Sequence, residues 1–167
     1  MKIAVFSDTH RSIDGAIGAI RRHNPNLIIH LGDHYQDAQK IHMEFPYIPM
    51  ECVPGNCDYV PDEKAVKQLN IMGVTIIITH GHHQRVKETL NGLWNLAYYA
   101  EADIVLFGHT HTPMYEYVTP TADAKEIGAL PYHLVNPGSA RGQHPTWAMI
   151  ELEEGAVKNI RLMDIYE

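Results

Sequence analysis

The sequence predicts a layered sandwich of the α/β class, folded as one domain over residues 1–167. The length of 167 residues suits a single domain and allows an ordinary core without disulfides or a structural metal. Short apolar runs alternate with helical patterns through the first part of the chain, and strand patterns dominate the rest. Helix–strand alternation followed by a β-rich part is typical of such layered architectures.

Five apolar runs predict the strands of the alternating part. The fourth is the clearest, because β-branched residues fill it. Helical patterns separate several of these runs, and Ser12 is a candidate N-cap for the first helix. The predicted strands are residues 3–6, 27–31, 50–53, 74–78 and 103–107, and the second and third helices are residues 37–45 and 83–100.

The remainder of the chain is predicted to be β-structure. Strands are expected at 114–118 and 133–135, and the last two strands form a hairpin over 147–162 around Gly155. The segment 119–130 is expected to be a mobile loop or an insertion. No linker, internal repeat or low-complexity run divides the sequence.

Composition excludes several classes of protein. Thirteen Lys and Arg against twenty Asp and Glu leave a net charge of −7, which disfavours binding to long nucleic acid or to an anionic membrane. Cys52 and Cys57 are too few for a disulfide scaffold. No secretory signal or membrane span is evident, so a cytoplasmic location is expected. The unusual count is twelve histidines, the commonest metal ligand and acid–base group.

Each of the five strands in the alternating part is followed by polar residues that can bind metal. In open α/β sheets, ligands bind outside the carboxyl ends of the strands, so these groups should converge on one rim. Glycines beside them let the backbone turn sharply and approach a ligand. The groups in strand order are Asp8 and His10, then Asp33, then Asn56, Cys57 and Asp58, then His80 and His82, then His109 and His111.

Carboxylate, carboxamide and imidazole donors suit Mn, Fe, Zn, Co or Ni better than Ca. Two ions are expected, because the candidates are too many for one tetrahedral ion and fit a pair that shares a bridging carboxylate. Such pairs, roughly 3.5–4 Å apart, hold the attacking and leaving oxygens of an in-line displacement at phosphorus. Mn is the first expectation among these metals. A histidine-rich metal buffer is another hypothesis for so many histidines, but it predicts clustered or tail histidines rather than this distribution.

The order of the motifs resembles the calcineurin-like metallophosphoesterases, above all the small prokaryotic phosphodiesterases of the YfcE type, over nearly the whole chain. The motifs are Asp8-x-His10, Gly32-Asp33, Gly55-Asn56-x-Asp58, His80 and Gly108-His109-x-His111. The resemblance implies a four-layer α/β/β/α sandwich with a dinuclear centre. It also implies ligand roles: Asp8, His10 and His111 for the first ion, Asn56, His80 and His109 for the second, and Asp33 as the bridge.

Two positions depart from the broad family pattern. Cys57 stands where many relatives have a histidine that protonates the leaving group, and Gln36 stands where many have an aspartate. A thiol of ordinary pKa, about 8.5, is a weak proton donor and could instead ligate metal or oxidise. The general acid therefore stays open between Cys57 and His82. Asp58 is expected to orient a neighbouring group, and Arg141 to contact the substrate phosphate.

The function predicted from these residues is hydrolysis of a small phosphodiester by a metal-activated hydroxide. The competing hypothesis is a non-catalytic scaffold that resembles the small subunit of the eukaryotic retromer. Degenerate ligand positions would favour that hypothesis.

Outside the motifs, His30 lies within an apolar strand and is expected to be buried and hydrogen-bonded. The aromatic cluster at Trp94, Tyr98 and Tyr99 is expected in the core, with a homo-oligomer face as its alternative.

Overall fold

Two five-stranded sheets pack face to face in the computed structural model, which describes residues 1–167. The elements in chain order are β1 (Lys2–Phe6), α1 (Asp14–His23), β2 (Leu27–His30), α2 (Tyr35–Glu44), β3 (Met50–Cys52), β4 (Val66–Ile71), β5 (Val74–Thr79), α3 (Asn91–Ala100), β6 (Ile104–Leu106), β7 (Met114–Val118), α4 (Ala122–Glu126), β8 (Tyr132–Asn136), β9 (Thr146–Glu153) and β10 (Ala156–Asp164).

The strand order is β10-β9-β1-β2-β3 in the first sheet and β4-β5-β6-β8-β7 in the second. In the first sheet β1, β2 and β3 run parallel, with Ile3 opposite Leu27, while β9 and β10 are antiparallel additions. In the second sheet β5, β6 and β8 run parallel between antiparallel edge strands. The parallel centre of each sheet places several strand carboxyl ends side by side.

Alternation along the strands divides the core into three apolar clusters. Ile3 and Val5 of β1 point between the sheets, where they meet Ile76 and Ile78 of β5 in the largest cluster. Neighbouring positions on the same strands point the other way, because successive side chains of a strand face opposite sides of the sheet. The space between the sheets is therefore filled by aliphatic side chains from both.

The outer faces of the sheets are covered by helices. Ile20 of α1 and Ile41 of α2 pack with Phe6 and Trp147 on the first sheet, where the two aromatic rings stack at 5.5 Å. Leu93 of α3 packs with apolar residues of the second sheet. The layers are thus α/β/β/α, and the predicted fold class is confirmed. No helix is long and apolar enough to cross a membrane.

The structure corrects several predicted boundaries. Strand β4 was not predicted, because Lys67, Gln68 and Asn70 interrupt its apolar pattern at the edge of the sheet. Helix α3 begins at Asn91 rather than 83, since residues 82–88 form turns. The segment 119–130, expected to be a loop, contains the short helix α4, whose first turn is capped by the Thr121 hydroxyl.

The start of α1 also differs from the prediction. Its N-cap is Ile13 rather than Ser12, and no side chain caps it. Ser12 instead donates its backbone N–H to the carbonyl of Thr9 in the preceding turn. This turn belongs to the loop that connects β1 to α1 and carries two of the predicted metal ligands.

Candidate metal centre

Asp8 lies at the rim where the two sheets meet. It follows β1, its side chain is fully buried, and its two carboxylate oxygens have different surroundings. Oδ2 accepts hydrogen bonds from the Ser7 hydroxyl at 2.5 Å and the His109 backbone N–H at 3.1 Å. Oδ1 has no hydrogen-bond partner. A buried carboxylate oxygen without a donor is costly, so this atom points to a bound cation.

Three further side chains gather around that oxygen. One ligand atom from each of Asp8, His10, Asp33 and His111 can be chosen so that all lie within 4.8 Å of one another. Nε2 of His111 is 3.1 Å from Asp8 Oδ1 and 3.3 Å from Nε2 of His10. These four residues are called the Asp8 cluster below. Converging imidazole nitrogens and carboxylate oxygens are the donors of a transition-metal site.

Asp33 follows β2 and lies between the Asp8 cluster and a second group of donors. Its Oδ2 is 3.7 Å from His10 Nε2, and its Oδ1 is 3.4 Å from His80 Nε2. Burial alone would raise the pKa of Asp33, but the backbone N–H of Cys57, which donates to Oδ1 at 3.0 Å, and the nearby His80 ring outweigh it and lower that pKa. Asp33 is therefore an ionised carboxylate that faces both groups.

The second group contains Asn56, His80 and His109 and is called the His80 group below. His80 is fully buried, and its Nδ1 lies 2.7 Å from the carbonyl oxygen of Leu31, where it acts as the donor. The lone pair of Nε2 is then free, and it faces Asn56 Oδ1 at 3.2 Å. A histidine fixed in this tautomer by a backbone carbonyl is typical of a metal ligand. The His109 ring lies 5.0 Å from that of His80.

The protonation states of the imidazoles also suit metal binding. Burial lowers the pKa of His10 and of His109, and the neighbouring His80 ring lowers that of His109 further. Neutral imidazoles keep the lone pairs that metal ions require. The ion-pair partners within 4 Å of Asp8 and Asp33 are all imidazoles, so no Lys or Arg neutralises the two carboxylates there.

The backbone is strained at several of these positions. Five of the predicted ligands have left-handed backbone angles, which cost non-glycine residues of order 1–3 kcal/mol each. Gly108 permits the close approach of two loops: a Cβ there would lie 2.0 Å from Ser7 Oγ and 2.9 Å from Asp8 Oδ2. The five φ angles are 54° for Asp8, 43° for His10, 57° for Asp33, 67° for His109 and 59° for His111.

The comparisons with known proteins agree with this centre. Residues 1–155 match the model of the calcineurin-like phosphoesterase superfamily domain. This chain belongs to that superfamily. The resemblance carried by the sequence motifs is thereby confirmed, and the metal-binding chemistry implied by the superfamily fits the unpartnered Asp8 Oδ1 and the donors around it.

Relatives within the superfamily span the chain. A probable metallophosphoesterase of Bacillus subtilis is 29% identical, over 98% of this chain and 91% of its own. A phosphodiesterase of Methanocaldococcus jannaschii is 27% identical, over 97% and 99% of the two chains. A predicted phosphoesterase from Streptococcus pneumoniae has the same fold, with a TM-score of 0.74, 23% identity and coverage of 99% and 90%.

Another fold neighbour is Vacuolar Protein Sorting 29 of Entamoeba histolytica, in a structure described as a complex with Zn²⁺. Its TM-score is 0.71, with 18% identity and coverage of 99% of both chains. At this level of identity the likeness concerns the fold alone. The calcineurin-like phosphoesterase fold therefore occurs in proteins whose names describe phosphoester chemistry and in one named for protein sorting.

The structure also places the predicted residues outside the two donor groups. Cys57 donates its thiol to Asp33 Oδ2 at 3.4 Å, and burial followed by the charge of Asp33 raises its pKa. Burial and the neighbouring His83 lower the pKa of His82 to about 4, so its ring is neutral at pH 7. Cys57 is thus a protonated thiol beside the centre, and neither group is a strong proton donor at neutral pH.

Asp58 and Arg141 hold the loops of the site. The Asp58 carboxylate accepts the backbone N–H groups of Tyr35 at 2.7 Å and Gly55 at 2.9 Å, which ties the Asn56 loop to the start of α2. Nη1 of Arg141 donates to the carbonyl oxygen of His10 at 3.0 Å. Asp58 therefore positions its neighbours, and Arg141 lies beside the centre.

Several residues outside the predicted ligand set support the site. Ser7 braces Asp8, and the buried Ser139 hydroxyl donates to the Asp8 carbonyl at 2.9 Å. The buried Asn136 side chain donates to the carbonyl of Gly108 and to the Thr110 hydroxyl, both at 3.0 Å. Their signal in the sequence is that each is a small polar residue at or just beyond a strand end.

A buried polar chain supports the loop after β1. His30 is fully buried as predicted, and burial lowers its pKa to about 4. Its Nδ1 accepts the N–H of Gly32 at 3.2 Å, so Nε2 donates to the Thr9 hydroxyl at 3.2 Å. Thr9 in turn donates to Asp37 Oδ2 at 2.9 Å. Asp37 directly follows Gln36 in the sequence, and its buried carboxylate supports the loop after β1.

Proposed function

We propose that this protein is a dinuclear metal-dependent phosphodiesterase that hydrolyses small phosphodiesters. The observation that carries the proposal is the unpartnered Asp8 Oδ1 within the Asp8 cluster, next to a second donor group that shares Asp33. One ion cannot use all of these donors, and two ions that share a carboxylate can. We assign a cytoplasmic location to the protein as part of the same proposal.

The proposed ligand sets follow from the two donor groups. Asp8, His10 and His111 hold the first ion, and the His80 group holds the second. Asp33 bridges, because its two oxygens face His10 on one side and His80 on the other. The donor chemistry suits Mn²⁺ first, with Ni, Fe, Zn and Co as alternatives.

The ions, when bound, supply Lewis-acid activation of water and stabilise the charge that develops on the phosphoryl oxygens. The protein's own residues orient the reaction. Asn56 projects from the loop after β3 beside His80, where its carboxamide N–H can also donate to a phosphoryl oxygen. The fixed His80 tautomer and the braced Asp8 keep their lone pairs directed at the centre without rearrangement.

Protonation of the leaving group is the weak point of this centre. The Cys57 thiol is raised in pKa and already donates to Asp33. The His82 ring is neutral at pH 7 because its pKa is about 4. We therefore propose that diesters with good leaving groups are the better substrates, since such groups depart without a proton.

The alternative is a non-catalytic metal-binding scaffold, for which the sorting-protein neighbours provide a precedent in fold. Metal binding alone does not separate the two functions, because that neighbour's structure is described with Zn²⁺. The enzyme is favoured because all seven predicted ligand positions hold donor residues and because the orphaned oxygen lies at their convergence.

The deciding experiment measures hydrolysis of bis(4-nitrophenyl) phosphate by the metal-free protein and after addition of Mn²⁺. The control is Lys125→Gln, which removes an exposed charge from α4, a helix that carries none of the proposed ligands. Turnover that requires Mn²⁺ and survives in the control supports the enzyme. Bound Mn²⁺ without turnover of this diester, or of 4-nitrophenyl phosphate, would favour the scaffold.

A further inference from the structure

A cavity of about 460 Å³ adjoins the metal centre on the side of Cys57. Its walls come from the loop after β1, the first turns of α2 and the segment after Asn56, and they include Arg11, Gln36, Gln39 and Tyr59. The size falls within the range of small-molecule sites, which is roughly 300–1,000 Å³. Cys57 contacts Asp33 and also lines the cavity. A substrate whose reacting phosphate lies at the metal centre can therefore extend one of its ester groups into the cavity.

Arg11 supplies the free positive charge of this cavity. Its guanidinium makes no hydrogen bond or ion pair with another residue, although most arginines of the chain do. The one acidic residue of the cavity wall, Asp58, has both oxygens occupied by backbone N–H groups. The wall therefore favours an anion, despite the protein's net charge of −7.

The backbone at Arg11 is held in an unfavourable conformation. Its φ angle is 69°, a left-handed value that glycine adopts at little cost and arginine does not. The buried Asp37 stabilises that conformation by accepting the Arg11 N–H at 2.7 Å. Arg11 directly follows the proposed ligand His10, and both lie in the turn that Asp37 supports. Glycine would adopt the same turn at less cost, so the turn itself does not require an arginine.

The other walls of the cavity suit a planar polar group. The Tyr59 side chain is 93% exposed at the cavity, so its ring is free to stack on a ligand. Gln36 and Gln39 lie one turn apart on α2, and both are exposed carboxamides that can donate and accept hydrogen bonds. A tyrosine ring with carboxamides and one cation is a combination that fits a nucleotide.

We propose that this cavity binds one nucleotide unit of the substrate. The terminal phosphate of that unit contacts Arg11, and its base stacks on Tyr59. The inference rests on the proposed phosphodiesterase function and narrows its substrate class. Among diesters with alkoxide leaving groups, the preferred substrates are then short dinucleotides that carry a terminal phosphate in addition to the phosphodiester that is hydrolysed.

The test compares three thymidine dinucleotides, with a terminal phosphate at the 5′ end, at the 3′ end or at neither. For the Mn²⁺-loaded wild type, one phosphorylated form should have a kcat/KM about fivefold above the unphosphorylated form, as expected for an exposed ion pair. Arg11→Gln should abolish that ratio through KM. Arg161→Gln removes an arginine of β10 and should keep it. Equal rates on all three dinucleotides, or a preference that survives Arg11→Gln, would overturn the inference.

Arg11→Gly separates binding from folding. Glycine relieves the left-handed strain, so this variant should melt at the wild-type temperature or higher and still lose the preference. A melting temperature several degrees lower would mean that Arg11 serves stability, against the inference. Failure of every diester to react would refute the proposed function alone. Binding of thymidine 3′,5′-bisphosphate by calorimetry then decides: about fivefold weaker binding by Arg11→Gln supports the site, and equal affinity refutes it.

Discussion

The two donor groups of the metal centre differ in charge and in access. The Asp8 cluster has two carboxylates, and its His111 side chain is 48% exposed. The His80 group has no carboxylate except the shared Asp33, and the His80 side chain is fully buried. The Asp8 cluster therefore has a carboxylate of its own, Asp8, beside the shared Asp33, whereas the His80 group depends on Asp33 alone for its negative charge. On the proposed ligand assignment, one carboxylate couples two unequal sites.

Removal of metal should have the largest effect. Exhaustive chelation is expected to abolish hydrolysis of bis(4-nitrophenyl) phosphate, and Mn²⁺ should restore it. Because the two sites differ in charge, Mn²⁺ should bind in two steps, and activity should follow the second. Calorimetric titration, with elemental analysis of bound metal, checks the order. Full turnover in protein that retains no metal would contradict the proposed mechanism, and one step with one equivalent would contradict the pair of sites.

Substitution of the shared ligand should come next. Asp33→Asn is expected to reduce kcat/KM on the order of 10³-fold, because both sites lose their common charge, whereas His10→Ala removes one ligand of one ion and should cost on the order of 10²-fold. Metal content must be measured alongside the rates. Asp33→Asn should retain less than one equivalent of Mn²⁺ at a concentration that fills both wild-type sites.

Two further observations control that comparison. Asp103→Asn changes an aspartate whose side chain accepts the Thr75 N–H at the opposite end of β5 and β6, and it should leave the metal content unchanged. If Asp33→Asn keeps two metals and a near-native rate, then Asp33 is not the bridge and the two donor groups bind independently.

Position 57 gives a smaller and more selective effect. Cys57→His should raise kcat by about tenfold for diesters with poor leaving groups, less than the 10²–10⁴-fold of a well-placed general acid, and should change good leaving groups little. The reason is that imidazole titrates near neutral pH, whereas burial and Asp33 raise the pKa of the thiol. Rates across a leaving-group series for both proteins test this. Equal slopes would move attention to His82.

The convergence of the polar side chains was easier to predict than the elements around them. The ligand positions are visible in the sequence because polar residues directly after buried strands must converge at one edge of the sheet. The start of α3 and the strand β4 were missed. The turns over 82–88 continue the apolar pattern of the helix, and Lys67 and Gln68 interrupt that of the edge strand. The buried network of His30, Thr9 and Asp37 joins residues 21 and 28 positions apart, a contact that no local pattern contains.

The smallest expected effect comes from a residue that touches no proposed ion. Ser7 donates to Asp8 Oδ2 at 2.5 Å, which leaves Oδ1 as the metal-facing oxygen. Ser7→Ala removes that donor and leaves only the His109 backbone N–H on Oδ2, so the carboxylate is held less firmly. The Asp8 cluster should then bind Mn²⁺ about tenfold more weakly, at the low end for a residue that orients a ligand. Thr121→Ala, which removes a hydroxyl from the cap of α4, is the control.

The two-step titration distinguishes this effect from a general loss of structure. In Ser7→Ala the step assigned to the Asp8 cluster should weaken, and the step assigned to the His80 group should stay within about twofold, because His80 keeps its bond to the Leu31 carbonyl. A rate close to wild type should return at saturating Mn²⁺, because every proposed ligand remains. Equal weakening of both steps would mean that the two sites are one coupled unit, and the contrast between the donor groups would then fail.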